Sequence, residues 1–114
     1  MNWSDNFAGG VTVCDANGIV IYMNDKSAKI FEKDGGKNLI GQSLVDCHPE
    51  PARTKLINLM ETRGTNAYTI EKAGIKKLVY QSPWYLDNGE FGGLVELSLE
   101  IPMEMAHFVR TPKV

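Results

Sequence analysis

Two strand–turn–strand signatures near opposite ends of the chain, centred on Asn17-Gly18 and Asn88-Gly89, constrain the fold more than any other feature. Asn-Gly enters left-handed backbone cheaply, so between alternating apolar residues it reverses a strand tightly. Val11 to Asp15 alternates apolar and small residues, and Ile19 to Met23 does so again. A two-residue loop at Asn17-Gly18 would pair Val13 with Tyr22. A three-residue loop, Ala16-Asn17-Gly18, pairs Val13 with Ile21 and Val11 with Met23. The second register puts four apolar residues on one face and sets Gly18 where such hairpins want a left-handed residue, so it is the one expected.

The closing part of the chain follows the same logic. From Thr65 onward, Tyr68 and Ile70 alternate with Thr69 and Glu71. The loop Lys72-Ala73-Gly74 pairs Tyr68 with Leu78. On the next strand Leu78, Tyr80, Ser82 and Trp84 share a face. A two-residue loop at Asn88-Gly89 pairs Ser82 with Val95, Tyr80 with Leu97 and Leu78 with Leu99. Odd positions from Val95 to Ile101 are apolar, while Glu96, Ser98 and Glu100 face the other way. That alternation predicts a half-buried antiparallel strand, stopped by Pro102.

The middle of the chain reads as helical. Asn24-Asp25 ends the first hairpin and offers a capping oxygen to a helix over 25–33, with Ala28 and Phe31 on its buried side. Residues 34–37 form a loop, and 39–45 a helical turn interrupted by Gly41. Pro49-Glu50-Pro51 opens the longest helix, since proline is tolerated where N–H groups lack intrahelical partners. Ala52, Leu56, Leu59 and Met60 make one apolar stripe, and Gly64 is the expected stop after Arg63. The order β-β-α-α-α-β-β-β gives an α+β domain: five antiparallel strands with helices packed on one face. Residues 1–8 form a short helical extension with Trp3 and Phe7 four apart; 9–102 are the domain; 103–114 are a tail.

At 114 residues there is room for one domain. Lys+Arg 12 against Asp+Glu 14 leaves a net charge of −2, which disfavours nucleic-acid binding. The 43% apolar and 23% charged shares describe an ordinary globular chain. No apolar run approaches the ~18 residues of a membrane span. The start, Met1-Asn2-Trp3-Ser4-Asp5, lacks signal-peptide character, so a cytoplasmic location without membrane attachment is expected. Two cysteines, Cys14 and Cys47, allow one disulfide but do not require it. With His48 and His107 they form no spaced metal-ligand set, and no metal site is expected.

The chain resembles a PAS domain over about residues 8–102. The resemblance rests on Asp15-Ala16-Asn17-Gly18-Ile19-Val20-Ile21-Tyr22-Met23-Asn24, which looks like the family's first hairpin and its terminal Asn. It continues in Leu39-Ile40-Gly41-Gln42-Ser43-Leu44, in Pro49-Glu50-Pro51, and in the closing strands around Asp87-Asn88-Gly89. The Cys47-His48-Pro49 segment looks like a bacterial subgroup of these modules. The resemblance implies a non-enzymatic sensory and interaction module in signal transduction, which holds a small molecule between sheet and helices and often dimerises. Ligand state shifts such a module between two conformations by no more than its differential affinity for them.

The resemblance names no cofactor. Oxygen-sensing haem members carry the iron-binding His seven residues after the first proline of the Pro-Glu-Pro run, and here that residue is Leu56. Flavin members carry a reactive Cys three residues after the Gly matching Gly41, and here that residue is Leu44. Haem held through His48 is a remaining alternative, and a ligand-free dimerisation module is another. The family's Asp-Ile-Thr exit segment corresponds here to Glu100-Ile101-Pro102. Output is therefore expected on a separate, unidentified signalling partner or within a longer protein.

The candidate ligand-binding wall is Val13, Ile21, Phe31, Leu56, Met60, Leu78, Tyr80, Val95 and Leu97, a set that either lines a cavity or packs closely. The unperturbed imidazole pKa lies near neutrality, so His48 could sense pH or touch a cofactor; the plainer reading is a ring bonded to backbone beside a helix start. Cys47 could be a redox-sensitive thiol near a helix N-terminus, or a small buried filler. The two are sequence neighbours, so a nucleophile–base pair would need an unusual bend. Asn24 reads as a helix cap. Trp3 and Phe7 are the candidate interface of a homodimer.

Overall fold

The computed structural model describes residues 2–113. Five strands form one sheet: β1 (Gly10–Cys14), β2 (Val20–Met23), β3 (Asn66–Lys72), β4 (Ile75–Tyr85) and β5 (Phe91–Ile101). Two α-helices, α1 (Asp25–Ile30) and α2 (Ala52–Thr62), lie between β2 and β3. The sheet order is β2-β1-β5-β4-β3, antiparallel throughout, so β5 is the central strand although it comes last. This is the expected α+β architecture. The helical middle is shorter than expected. The last turn of the 25–33 helix is a separate 3₁₀ segment, Glu32–Asp34, and 39–45 holds turns after a 3₁₀ segment at Gly36–Leu39.

Each hairpin differs from its expected geometry locally. In the first, Asp15 N–H donates to Ile19 O and Gly18 N–H to Asp15 O, so the loop is the expected Ala16-Asn17-Gly18. Asp15 Oδ1 accepts from the N–H groups of Asn17 and Ile19 and holds it. A bulge then follows Cys14, which pairs with Val20, while Val13 pairs with Tyr22 instead of Ile21 and Thr12 with Met23. A bulge opposes two residues on one strand to one on its partner. The extra residue here is Ile21, which is 47% exposed. Val20 and Met23 both turn inward as a result.

The second hairpin is tighter than expected. Lys72 pairs with Ile75, so the loop is Ala73-Gly74, both left-handed, and Tyr68 faces Val79 rather than Leu78. The third keeps its expected pairs, Ser82–Val95, Tyr80–Leu97 and Leu78–Leu99. Its loop is nevertheless Asp87-Asn88-Gly89, closed by Leu86 N–H to Glu90 O. A bulge between Trp84 and Tyr85 and their partners restores the register.

These pairings decide which face is covered. Directly paired residues share a face, so Met23, Thr12, Glu96, Gln81 and Asn66 form one row across all five strands. That row lies on the helical side. Gly10, two residues before Thr12, abuts Ile30 and Ser27 of α1. The buried core joins Cys14 and Leu94 of the sheet to Leu56 and Leu59 of α2, with Leu44, Val45, Met60 and Phe91 packed against it.

The opposite face carries Val13, Val95, Leu97, Leu99, Leu78, Tyr80, Ser82 and Trp84. Sequence alternation had assigned this apolar face to the interior. It is instead the outer face, half-buried to exposed, with Tyr80 at 38% exposure. Trp84 lies over Gly92 and donates from Nε1 to Cys14 O at 3.0 Å.

The termini of α2 are built from neighbouring residues. Pro51, its N-cap, has no side chain to offer; Glu50 accepts from Thr54 N–H at 2.7 Å and from the Thr54 hydroxyl. Those bonds, the hydroxyl first, hold the Glu50 carboxyl below its usual range. At the other end Arg63, not Gly64, takes the left-handed position, and its guanidinium lies 4.9 Å from the Phe91 ring centre.

Candidate functional site

Between the inner face of the sheet and the segment from Leu39 to Leu56 lies a two-lobed cleft. One lobe, about 360 Å³, is bordered by His48, Pro51, Ala52, Lys55, Leu56, Asn66, Tyr68, Gln81 and Glu96. The other, about 410 Å³, is bordered by Thr12, Met23, Phe31, Asp34, Leu39, Gln42, Leu44, Cys47, His48, Pro49 and Glu96. Glu96 and His48 belong to both. A void of about 20 Å³ beside Thr12, Cys14, Leu56 and Glu96 has room for about one water. A larger hollow, about 550 Å³, is a wide surface groove at the loop end of the sheet, beside Ala16, Arg63 and Glu90. It lies outside the two layers. The cleft, with convergent polar groups on an apolar frame, has the make-up of a small-molecule site.

Its floor is a hydrogen-bonded chain. Asn66 Nδ2 donates to Gln81 Oε1 at 3.0 Å, and Gln81 Nε2 donates to Glu96 Oε1 at 2.8 Å. The chain runs along one cross-strand row, so the sheet fixes the direction of the carboxylate. Thr12, next in the row, is buried and bonds Ser27 of α1 through its hydroxyl. Burial first, and the Glu96 charge second, push the Tyr68 phenol above its ordinary value.

That shift has a sign. A phenol raised on folding contributes stability that is complete below its unfolded value, about pH 10, and is lost as pH rises through the folded value. Two phenols stand above the ordinary value, Tyr22 through its bond to Asp5 and Tyr68 in the cleft, and in an ultraviolet titration Tyr68→Phe should remove one of these raised waves. Glu96→Gln should lower that wave only part way, because burial remains. Both raised waves persisting in Tyr68→Phe would contradict the assignment.

His48 is half-buried, with Nδ1 at 2.6 Å from Leu44 O. A carbonyl accepts only, so Nδ1 carries a proton and donates to Leu44 O. Arg53 Nε donates to His48 O at 3.2 Å, tying the residue to α2. Cys47 is exposed, and its Sγ lies 3.7 Å from Gln42 Oε1. The Cys47 and His48 side chains thus engage different partners. Cys14 is buried and free, and burial, first among several causes, pushes its thiol up. No group of three or more metal-binding side chains occurs among the described residues.

Of the expected ligand-binding wall, the structure brings Phe31 and Leu56 to the cleft, one to each lobe. Met60 packs against the core and borders the outer groove. Val13, Leu78, Tyr80 and Leu97 lie on the outer face. Val95 shares that face and borders only the 20 Å³ void. Ile21 is displaced by the bulge and is exposed. The groups that build the floor, Thr12, Asn66, Gln81 and Glu96, were not among the expected set. The signal for Glu96 was the polar side of the last strand, set opposite the apolar row. Trp3 and Phe7 are exposed and stack edge to face, with ring centres 5.6 Å apart. Phe7 also packs beside Gly9 and Leu99, at the margin of the outer face.

A family model described as "PAS fold" matches residues 4–104. No curated protein gives a significant match. Among solved structures, the PAS domain from Bordetella pertussis BvgS is 18% identical, with a TM-score of 0.61 over 87% of this chain and 81% of that one. The Aer2 receptor from Vibrio cholerae, a dual PAS-heme oxygen sensor, is 16% identical, with a TM-score of 0.60 over 83% and 96%. The Vibrio cholerae VqmA dimer in the absence of its target DNA is 12% identical, with a TM-score of 0.67 over 89% of this chain and 51% of that one. Among the described residues, no helix is long and apolar enough to cross a membrane.

Proposed function

The chain belongs to the PAS fold family, and from that membership we propose that it is a non-catalytic sensory module of bacterial signal transduction. A small molecule enters the cleft between sheet and helical layer, and its occupancy alters the outer sheet face. The observation that carries this reading is the oriented Asn66–Gln81–Glu96 chain on the floor of a two-lobed cavity. A close-packed core has no use for such a floor, because buried polar groups cost free energy unless a partner offsets them.

The outer face supports a homodimer. Leu78, Tyr80, Leu97 and Leu99 form an apolar surface that is half-buried to exposed among the described residues, with Phe7 packed at its margin beside Leu99 and Trp3 stacked on Phe7. Unpartnered apolar faces of this kind mark association sites. The net charge of −2 and this apolar surface support a protein signalling partner rather than nucleic acid, and a cytoplasmic place of action. A second reading, haem held through His48, is favoured only by the position of that ring in both lobes.

Native mass spectrometry of freshly purified protein tests both halves. The expected spectrum shows a dimer carrying added small-molecule mass. Leu97→Asp should shift it to monomer, because a charge buried at the centre of an interface costs about 3 kcal/mol, roughly 100-fold in the dissociation constant. A monomer from the unaltered chain defeats the dimer. A dimer untouched by Leu97→Asp places the interface elsewhere.

A further inference from the structure

We propose that the cleft selects small organic cations, ligands whose protonated, hydrogen-bond-donating nitrogen is held by the Glu96 carboxylate. The inference rests on the reading of the cleft as a ligand site and adds the chemical class of the ligand. Glu96 is the one charged residue that borders both lobes. Its Oε1 is occupied by Gln81 Nε2. Oε2 has no hydrogen-bond partner among the described residues, and no unpartnered side-chain oxygen or nitrogen is fully buried among them. Oε2 is therefore solvent-accessible, on a residue that borders both lobes. No Lys, Arg or His nitrogen lies within salt-bridge distance of Glu96 among the described residues, where the ion pairs are Lys26–Glu100 and Lys37–Asp25.

The surroundings point the same way. The Gln81 amide is held at both ends, its carbonyl accepting from Asn66 and one of its two N–H groups donating to Glu96, so its orientation is fixed. His48 donates from Nδ1 to Leu44 O, which leaves Nε2 as an acceptor in the neutral form of the ring. The fixed groups shared by the two lobes are thus acceptors, and a donor-bearing cation matches them. Hydrogen bonds between ionised partners are about twice as strong as neutral ones. An anion would face the carboxylate without compensation inside the cleft. Lys55, the cation among the lining residues, sits on the exposed side of α2.

The test uses three probes of one shape on the full chain: benzamidinium, neutral benzamide and anionic benzoate. Amide-resolved NMR titration reads both site and affinity. Benzamidinium should bind at least about tenfold more tightly than benzamide, with shifts centred on Thr12, Gln81 and Glu96, and benzoate should not bind. Glu96→Gln should weaken benzamidinium about tenfold or more and leave benzamide within about twofold. The comparison of probes on the unaltered protein stands even if that variant folds poorly. Equal binding of all three in the cleft overturns the cation selectivity and leaves the ligand-site reading standing. Shifts confined to the outer groove near Glu61 and Glu90, or no shifts with any probe, overturn both.

Discussion

Gly93→Ala should cost about 3 kcal/mol or more and lower Tm by more than about 10 °C. Gly93 lies in the central strand, where β5 passes the end of β1. A Cβ there would sit 2.0 Å from Cys14 O and 2.7 Å from Asp15 C, backbone atoms at the end of β1, a strand held on two sides. Nothing in that pair is a flexible side-chain tip that could swing away. The backbone at Gly93 also has φ +141°, a region nearly reserved for glycine, so strain of about 1–3 kcal/mol adds to the clash. The displaced carbonyl of Cys14 is the one that accepts from Trp84 Nε1, so the loss spreads to the outer face. Gly74→Ala is the matched control. Gly74 has φ +80° with nothing within 4 Å, so only the backbone term of about 1 kcal/mol applies. Thermal unfolding followed by circular dichroism should separate the two variants clearly. Equal Tm shifts would mean that the β1–β5 contact is not tight.

That crossing also explains which parts of the fold were legible in the sequence. Strand identity and antiparallel pairing follow from Asn-Gly turns and alternation, and both were readable. Register needed more. Bulges after Cys14 and near Trp84 each insert one residue, and no residue pattern announces them beforehand. At the third hairpin the expected pairs are right because two departures cancel: a loop one residue longer and a bulge that restores the count. At Ala73-Gly74 they do not cancel, because Ala73 adopts φ 54°, which its side chain disfavours.

The identity of the covered face was the larger loss. Alternation divides a strand into two sides but does not say which side meets the helices. The apolar side, Val95, Leu97 and Leu99, reads as core by the usual rule. Here the helices cover the side bearing Glu96, because that side floors a cavity rather than filling one. A polar row at the centre of a sheet is the physical mark of such a floor. Recognising it requires knowing that β5 is the central strand, which depends on pairings between residues about 85 positions apart, such as Val11 and Leu97. The loop of the first hairpin, the helix start at Asn24 and the apolar stripe of α2 depend only on local contacts and were readable for that reason.

Asn24 is where local and distant information meet, and its replacement should have the second large effect. The side chain is fully buried. Its Oδ1 accepts from Ser27 N–H at 2.9 Å, capping α1, and from Val11 N–H at 3.0 Å, tying that cap to β1. Its Nδ2 donates to Ser4 O and Gly9 O, each at 2.9 Å, pinning the N-terminal segment to the domain. One amide thus satisfies four backbone groups from three parts of the chain. Leaving a buried polar group unmatched costs about 1–3 kcal/mol, so Asn24→Ala should cost about 4 kcal/mol even if water enters the vacated space.

Asn24→Asp divides the two halves of that role. A carboxylate can still accept from Ser27 and Val11, but it cannot donate, and it faces the carbonyls of Ser4 and Gly9. Hydrogen exchange should then stay slow at Ser27 and become at least about tenfold faster across residues 4–9, since a loss of about 1.4 kcal/mol of local stability is one decade in the opening equilibrium. Slow exchange retained in both regions would show that the amide donors are dispensable. Trp3 and Phe7 belong to the released segment, so the same variant should weaken the proposed dimer without altering a single residue of the outer sheet face.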